Sequence, residues 1–148
     1  EAYPGLARLK ENVIPADAKR GYFKGFDGRL VACDSEHLML AGYLQNGEAC
    51  IMKHANVLWR KELDGIGIRS EVELLDGRRH STLRGKDLYR QVNFVHDEWQ
   101  TEVRGSREVA SAVGRIQEDS IRRTGESFGL RCPMAGQSAL GKNWLETH

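Results

Sequence analysis

Apolar positions along this chain follow two different periods. In YPGLARLKENV, Leu6, Leu9 and Val13 recur at helical spacing behind Pro4, which predicts an amphipathic helix from about residue 4 to 20, with a bend at Pro15. GYFKGFDGRLVAC then sets aromatic and β-branched residues on either side of Asp27-Gly28, a dipeptide that favours tight hairpins. Ser35 before Glu36 predicts a helix start. The following run, EHLMLAGYLQNGEACIMKHANVLWRKEL, is apolar on nearly every side until Gly65, the pattern of a buried central helix. Residues 65 to 90 carry the weakest pattern, although Asp76-Gly77 repeats the hairpin signal.

Further along, Val92 and Phe94 alternate on one side of a polar triplet, and Trp99, Thr101 and Val103 alternate on the other. NFVHDEWQTEV therefore reads as a buried hairpin with His96, Asp97 and Glu98 at its tip. GSREVASAVGRIQEDSIRRTG predicts a helix capped by Ser106, with Val109, Ala112, Val113 and Ile116 on one face and Gly125 as its stop. SFGLRC reads as a last strand and GKNWLETH as an irregular tail. Strands segregated from helices in this way predict an α+β fold: an antiparallel sheet packed on the long buried helix and flanking helices.

Composition changes this picture little. The 148 residues, 40% hydrophobic and 29% charged, suit one globular domain, and a net charge of +1 gives no argument for a polyanionic partner. Cys33, Cys50 and Cys132 are odd in number and lack a CxxC pair, which predicts reduced thiols in a cytoplasm. No apolar run is long enough to span a bilayer, so no membrane partner is expected. A chain opening on Glu1 is expected to be trimmed or cut from something longer.

The acidic triplet is the chemical candidate. Carboxylates at a tight turn between strands project from a rigid support, where they can hold a divalent metal against phosphate oxygens. The blander alternative is a polar turn, and for the triplet taken alone it is the commoner one. The pairs Arg78–Arg79, beside His80, and Arg122–Arg123 read more readily as solvated charge than as phosphate contacts, and Trp59, Trp99 and Trp144 as packing residues.

Five stretches, in order, resemble one family. NFVHDEWQTEV resembles the motif C hairpin of family A, polymerase-I-like DNA polymerases of the phage branch. YPGLARLKE resembles the helix after their fingers, KGFDGRLVACDSEH their Gly-x-Asp-Gly-Arg hairpin, HLMLAGYLQNGEACIMKHA the long helix behind the active site, and GKNWLETH their ending. The resemblance implies that residues 1–148 form one partial domain, the C-terminal fingers-to-palm portion of a template-directed DNA polymerase that uses two Mg²⁺ ions. It assigns metal binding to Asp97 and, in a lesser part, Glu98, and places His96 near the primer-terminal backbone. Gln45 would reach the minor groove, with His37 and Arg29 as further DNA contacts. Ala41 departs from the polar pattern of the family on the face that His37 and Gln45 share. Motif A, motif B and the thumb are absent from these residues, so the implied partners are primer-template DNA, a dNTP and the remaining N-terminal polymerase portion, in the same chain or a separate subunit. Alone, the chain would be inactive. The alternative is a non-catalytic nucleic-acid-binding or regulatory module derived from a polymerase palm; an unrelated metal-dependent hydrolase is a weaker third.

Overall fold

The computed structural model describes residues 3–73, 79–81 and 88–147. The chain divides into two compact units, Glu1–Cys50 and Ile51–His148.

The first unit opens with a continuous helical stretch built of α1 (Pro4–Arg8), a π-helical turn (Leu9–Val13) and α2 (Ile14–Arg20). Pro15 has no N–H for the carbonyl of Glu11, and its ring crowds that turn, so a widened turn precedes it instead of a sharp kink. The extra residue in that turn rotates the apolar stripe. Leu6 is exposed, and Ile14 and Asp17 face inward. Gly21 ends α2 in the left-handed region, φ 76°. Strands β1 (Tyr22–Lys24) and β2 (Leu30–Ala32) pair antiparallel, Lys24 opposite Leu30. Their turn has the Gly28 N–H bonded to Gly25 O at 3.0 Å, and Gly28 takes φ 83° as the hairpin signal requires. Helix α3 (Glu36–Gly65) starts where Ser35 predicts, the Ser35 carbonyl accepting from Leu38 and Met39 N–H. In this unit Ile14, Phe23 and Met39 form the core, with Phe23 stacked on Tyr43 at 4.4 Å.

The second unit carries a four-stranded sheet in the order β4-β3-β5-β6, with β3 (Arg69–Glu73), β4 (Arg79–Ser81), β5 (Leu88–Val95) and β6 (Glu98–Arg104). The fold is α+β, as the segregation of strands predicts. One pairing is parallel: Arg69 and Ser70 of β3 lie beside Leu88 and Tyr89 of β5. Strands β3 and β4 pair antiparallel across the second Asp-Gly signal, though Asp76-Gly77 itself and Arg78 lie outside the described residues. Trp59 and Leu63 of α3 sit with Ile68, Tyr89 and Val113 in the core, and the Trp59 ring meets both Tyr89 and Trp99 edgewise or tilted, at 5.2 and 5.9 Å. Such aromatic contacts add to area burial. Helix α3 is not buried all round: Leu38, Leu44 and Val57 are exposed.

Helix α4 (Arg107–Ser127) is capped as expected, the Ser106 hydroxyl accepting from Val109 N–H at 3.4 Å. Its stop differs. Gly125 lies inside the helix, and Gly129, at φ 67°, closes it: Gly129 N–H bonds Glu126 O and Leu130 N–H bonds Gly125 O, a Schellman arrangement. SFGLRC is therefore helix end and turn, not a strand. Gly125 and Gly114 instead leave room for the chain returning along α4, since a Cβ at these positions would lie 2.6 Å from Met134 Cγ and Ser138 Oγ respectively. Glu118 fastens that return, accepting from Ser138 N–H and Oγ–H at 2.6 and 2.7 Å. Trp144, expected in packing, is mostly exposed on a short 3-10 turn (Trp144–Glu146).

Candidate active-site hairpin and nucleic-acid helix

Strands β5 and β6 are joined by a two-residue turn, His96-Asp97, flanked by the pair Val95–Glu98. Such turns match strand twist only with φ > 0 in the loop, and His96 supplies it at 51°, the one non-glycine among the described residues to do so. Histidine is among the residues that tolerate this region, at a modest energetic cost. A β-bulge between Gln91 and Asn93 then resets the alternation. Below it Tyr89 and Gln91 share the inward face with Val103 and Thr101; above it Phe94 does so with Trp99, their rings 6.0 Å apart. Asn93, Val95, Glu98 and Gln100 consequently share the outward face.

The tip is less covered than a buried hairpin would be. Val92 and Val95 are each 48% exposed, and His96 and Asp97 are exposed. Among the described residues Asp97 has no hydrogen-bond or ion-pair partner, whereas Glu98 accepts from the Gln100 amide at 2.8 Å. Carboxylate oxygens are the hard donors that Mg²⁺ takes. Yet among the described residues no three His, Cys, Asp or Glu side chains converge on a point that could hold a metal. Asp97 and Glu98 are the tip residues that could supply part of such a site.

Helix α3 carries the other candidates. At about 100° per residue, His37, Ala41 and Gln45 fall within one arc, and all three are exposed. Asn46, Gly47 and Cys50 lie on the other side, and there the β1–β2 turn is docked: the Phe26 N–H donates to Asn46 Oδ1 at 3.0 Å, and the Phe26 ring covers Gly47. Arg29 belongs to this turn, its Nε 2.5 Å from Asp27 Oδ2. The Arg29 backbone N–H, followed by its guanidinium, holds the Asp27 carboxyl below its ordinary range, and Asp27 raises Arg29 in return. The structure thus brings His37 and Gln45 together and sets the Arg29 turn on another side of the helix. Arg122 and Arg123 are occupied by carboxylates, Arg122 by Asp119 and Glu126 at 2.5 Å each and Arg123 by Glu62 at 2.7 Å.

Three features have no sequence signal. The bulge sits at Val92 and Asn93, not at a glycine; Asn46 reads as an ordinary polar helix residue; and Asp17, one more charge on an amphipathic helix by pattern, is buried and bonded to Tyr43.

The fold and the tip define an α+β protein that presents a carboxylate at a hairpin tip and an exposed face with polar ends on a long helix. No protein-family profile matches the chain. It is 33% identical to the DNA-directed DNA polymerase of Enterobacteria phage T3 and 32% identical to that of Escherichia phage T7, in each case over 88% of its own length and 16% of the relative's. A 25% identity to the DNA-directed DNA polymerase of Escherichia phage Phieco32 covers 88% of the chain and 19% of that protein. The chain thus spans about a sixth of the length of the curated relatives it matches. It fits a fragment of a phage-type DNA polymerase.

Proposed function

We propose that this chain contributes to a template-directed DNA polymerase the carboxylates of one family A acidic motif, motif C of the palm, and a helix that tests the minor groove of the primer-template. The observation that carries this is an exposed aspartate at the tip of a two-residue hairpin turn, in a chain similar to phage DNA polymerases over 88% of its length. The reaction joins a nucleotide from a dNTP to the primer 3′ oxygen and expels pyrophosphate. Asp97 and Glu98 are the residues that would hold Mg²⁺, which when bound supplies Lewis-acid charge at the phosphates. Asp97 leads because it has no partner among the described residues, and Glu98, tied to Gln100, takes the lesser part. His96, at the strained corner of the turn, would meet the primer-terminal backbone. Gln45, with His37 on the same face, would donate to the acceptors that every correct base pair offers in the minor groove, which tests pairing without reading sequence. Arg29 would contribute a phosphate contact from its own side of α3. The remaining acidic motif must come from the rest of the polymerase, in the same chain or a companion subunit.

The test is Asp97→Asn in the complete polymerase containing this chain. Nucleotide incorporation should fall by on the order of a thousandfold, the several kcal/mol that charge at a two-metal site supplies, with duplex binding nearly unchanged; Glu98→Gln should be milder. Near-normal turnover of Asp97→Asn would refute the assignment and favour a non-catalytic nucleic-acid-binding module.

A further inference from the structure

Asp17 is a carboxylate only 3% exposed, and no step of the proposed reaction uses it. Burying a carboxylate is costly unless both its oxygens find partners. Here they do, from two directions: the Arg20 guanidinium, one turn along α2, bonds Oδ1, and the Tyr43 hydroxyl of α3 donates to Oδ2. The Tyr43 ring is itself fixed. It stacks on Phe23 at 29°, and Gly42 admits the edge of Phe23, which a Cβ there would approach to 3.2 Å. Tyr43 lies two residues before Gln45 and points to the opposite side of α3 from the His37–Ala41–Gln45 arc.

We infer that Asp17 and Tyr43 act as a clamp that sets the rotation of α3 about its axis, making both positioning residues for Gln45. Apolar packing alone is non-directional and tolerates small rotations. A side-chain polar atom about 6 Å from the helix axis moves roughly 2 Å for a 20° turn, enough to break a hydrogen bond whose useful range is a few tenths of an ångström. A hydroxyl bonded to a charged, buried acceptor removes that freedom directly behind the face that Gln45 occupies. The inference rests on the proposed minor-groove role of Gln45.

The experiment uses the complete polymerase containing this chain and measures kcat/KM for extension from matched and mismatched primer ends. Tyr43→Phe keeps the ring stack and deletes only the hydroxyl. It should lower the matched-to-mismatched ratio about three- to tenfold, the worth of one hydrogen bond, and the double variant with Gln45→Ala should lose no more than Gln45→Ala alone. Asp17→Asn, which keeps an oxygen acceptor, should retain most of the ratio, and Asp17→Ala should not. A Tyr43→Phe enzyme with lowered Tm but an unchanged ratio, or with a loss that multiplies that of Gln45→Ala, overturns the clamp alone. Gln45→Ala with an unchanged ratio overturns the minor-groove reading, and the clamp with it.

Discussion

The His96 corner offers a quantitative check on the hairpin. A side chain in the left-handed region costs about 1–2 kcal/mol relative to glycine, somewhat less for histidine, which tolerates it better. His96→Gly removes that strain but gives back about 0.5–1 kcal/mol through the larger entropy of the unfolded chain. The net expectation is a change between zero and about 1 kcal/mol in favour of the variant. His96→Val is the opposite case, because a β-branched residue at φ 51° is an outlier, and a loss of about 2 kcal/mol is expected. For a unit the size of Ile51–His148 that corresponds to a Tm roughly 8–15 °C lower. Urea denaturation and calorimetry on the purified chain read both values. A valine variant as stable as the parent, or a glycine variant that loses more than about 1 kcal/mol, would show that the turn does not adopt this conformation. Nucleotide incorporation by the glycine variant, in the complete polymerase, separately reads what the imidazole does, since its backbone is relaxed.

Two further outcomes follow from α4. Gly125→Val should cost about 1–3 kcal/mol by overpacking against Met134 and should expose residues 130–147 to proteolysis; an unchanged digestion pattern would mean the returning chain is not seated there. Arg122, followed by Arg123, holds the Asp119 carboxyl below its ordinary range, so its contribution is complete at neutral pH and is lost only as pH falls through that depressed value. Arg122→Ala should move the Asp119 titration, followed by NMR, up toward the usual carboxylate value, and a titration unmoved by the substitution would refute the pairing.

What the sequence made legible, and what it hid, divides along the range of the forces involved. The Asp27-Gly28 turn, the Ser35 start and the Ser106 cap are local, set by residues within a few positions of one another, and they stand as expected. Gly125 misled because glycine serves two purposes: it ends helices, and it lets another segment approach. Only the three-dimensional course of residues 130–138 tells these apart. The burial of Asp17 was hidden for the same reason, since its partner Tyr43 is 26 positions away. At the candidate site, His96, Asp97 and Glu98 were legible as a tip by their place between two alternating runs, and His37 and Gln45 as one face by their spacing. That the Arg29 turn docks on another side of α3 could not be read, because it depends on Asn46 and Gly47 meeting Phe26.

The bulge at Val92 divides the hairpin into two segments whose parity is counted separately. Deleting that single residue would leave the pairs Gln91–Thr101, Asn93–Gln100 and Phe94–Trp99 and their faces as they are, because Val92 is the extra residue with no partner opposite it. Omitting Gln100 from β6, which carries no extra residue, would instead turn Trp99 to the outward face. The slack in the hairpin accordingly lies on β5 alone. Libraries that diversify the tip can shorten β5 by one residue at the bulge but should hold β6 at constant length, and a natural chain one residue shorter between Tyr89 and Val95 can keep the same inward face and tip on a regular ladder.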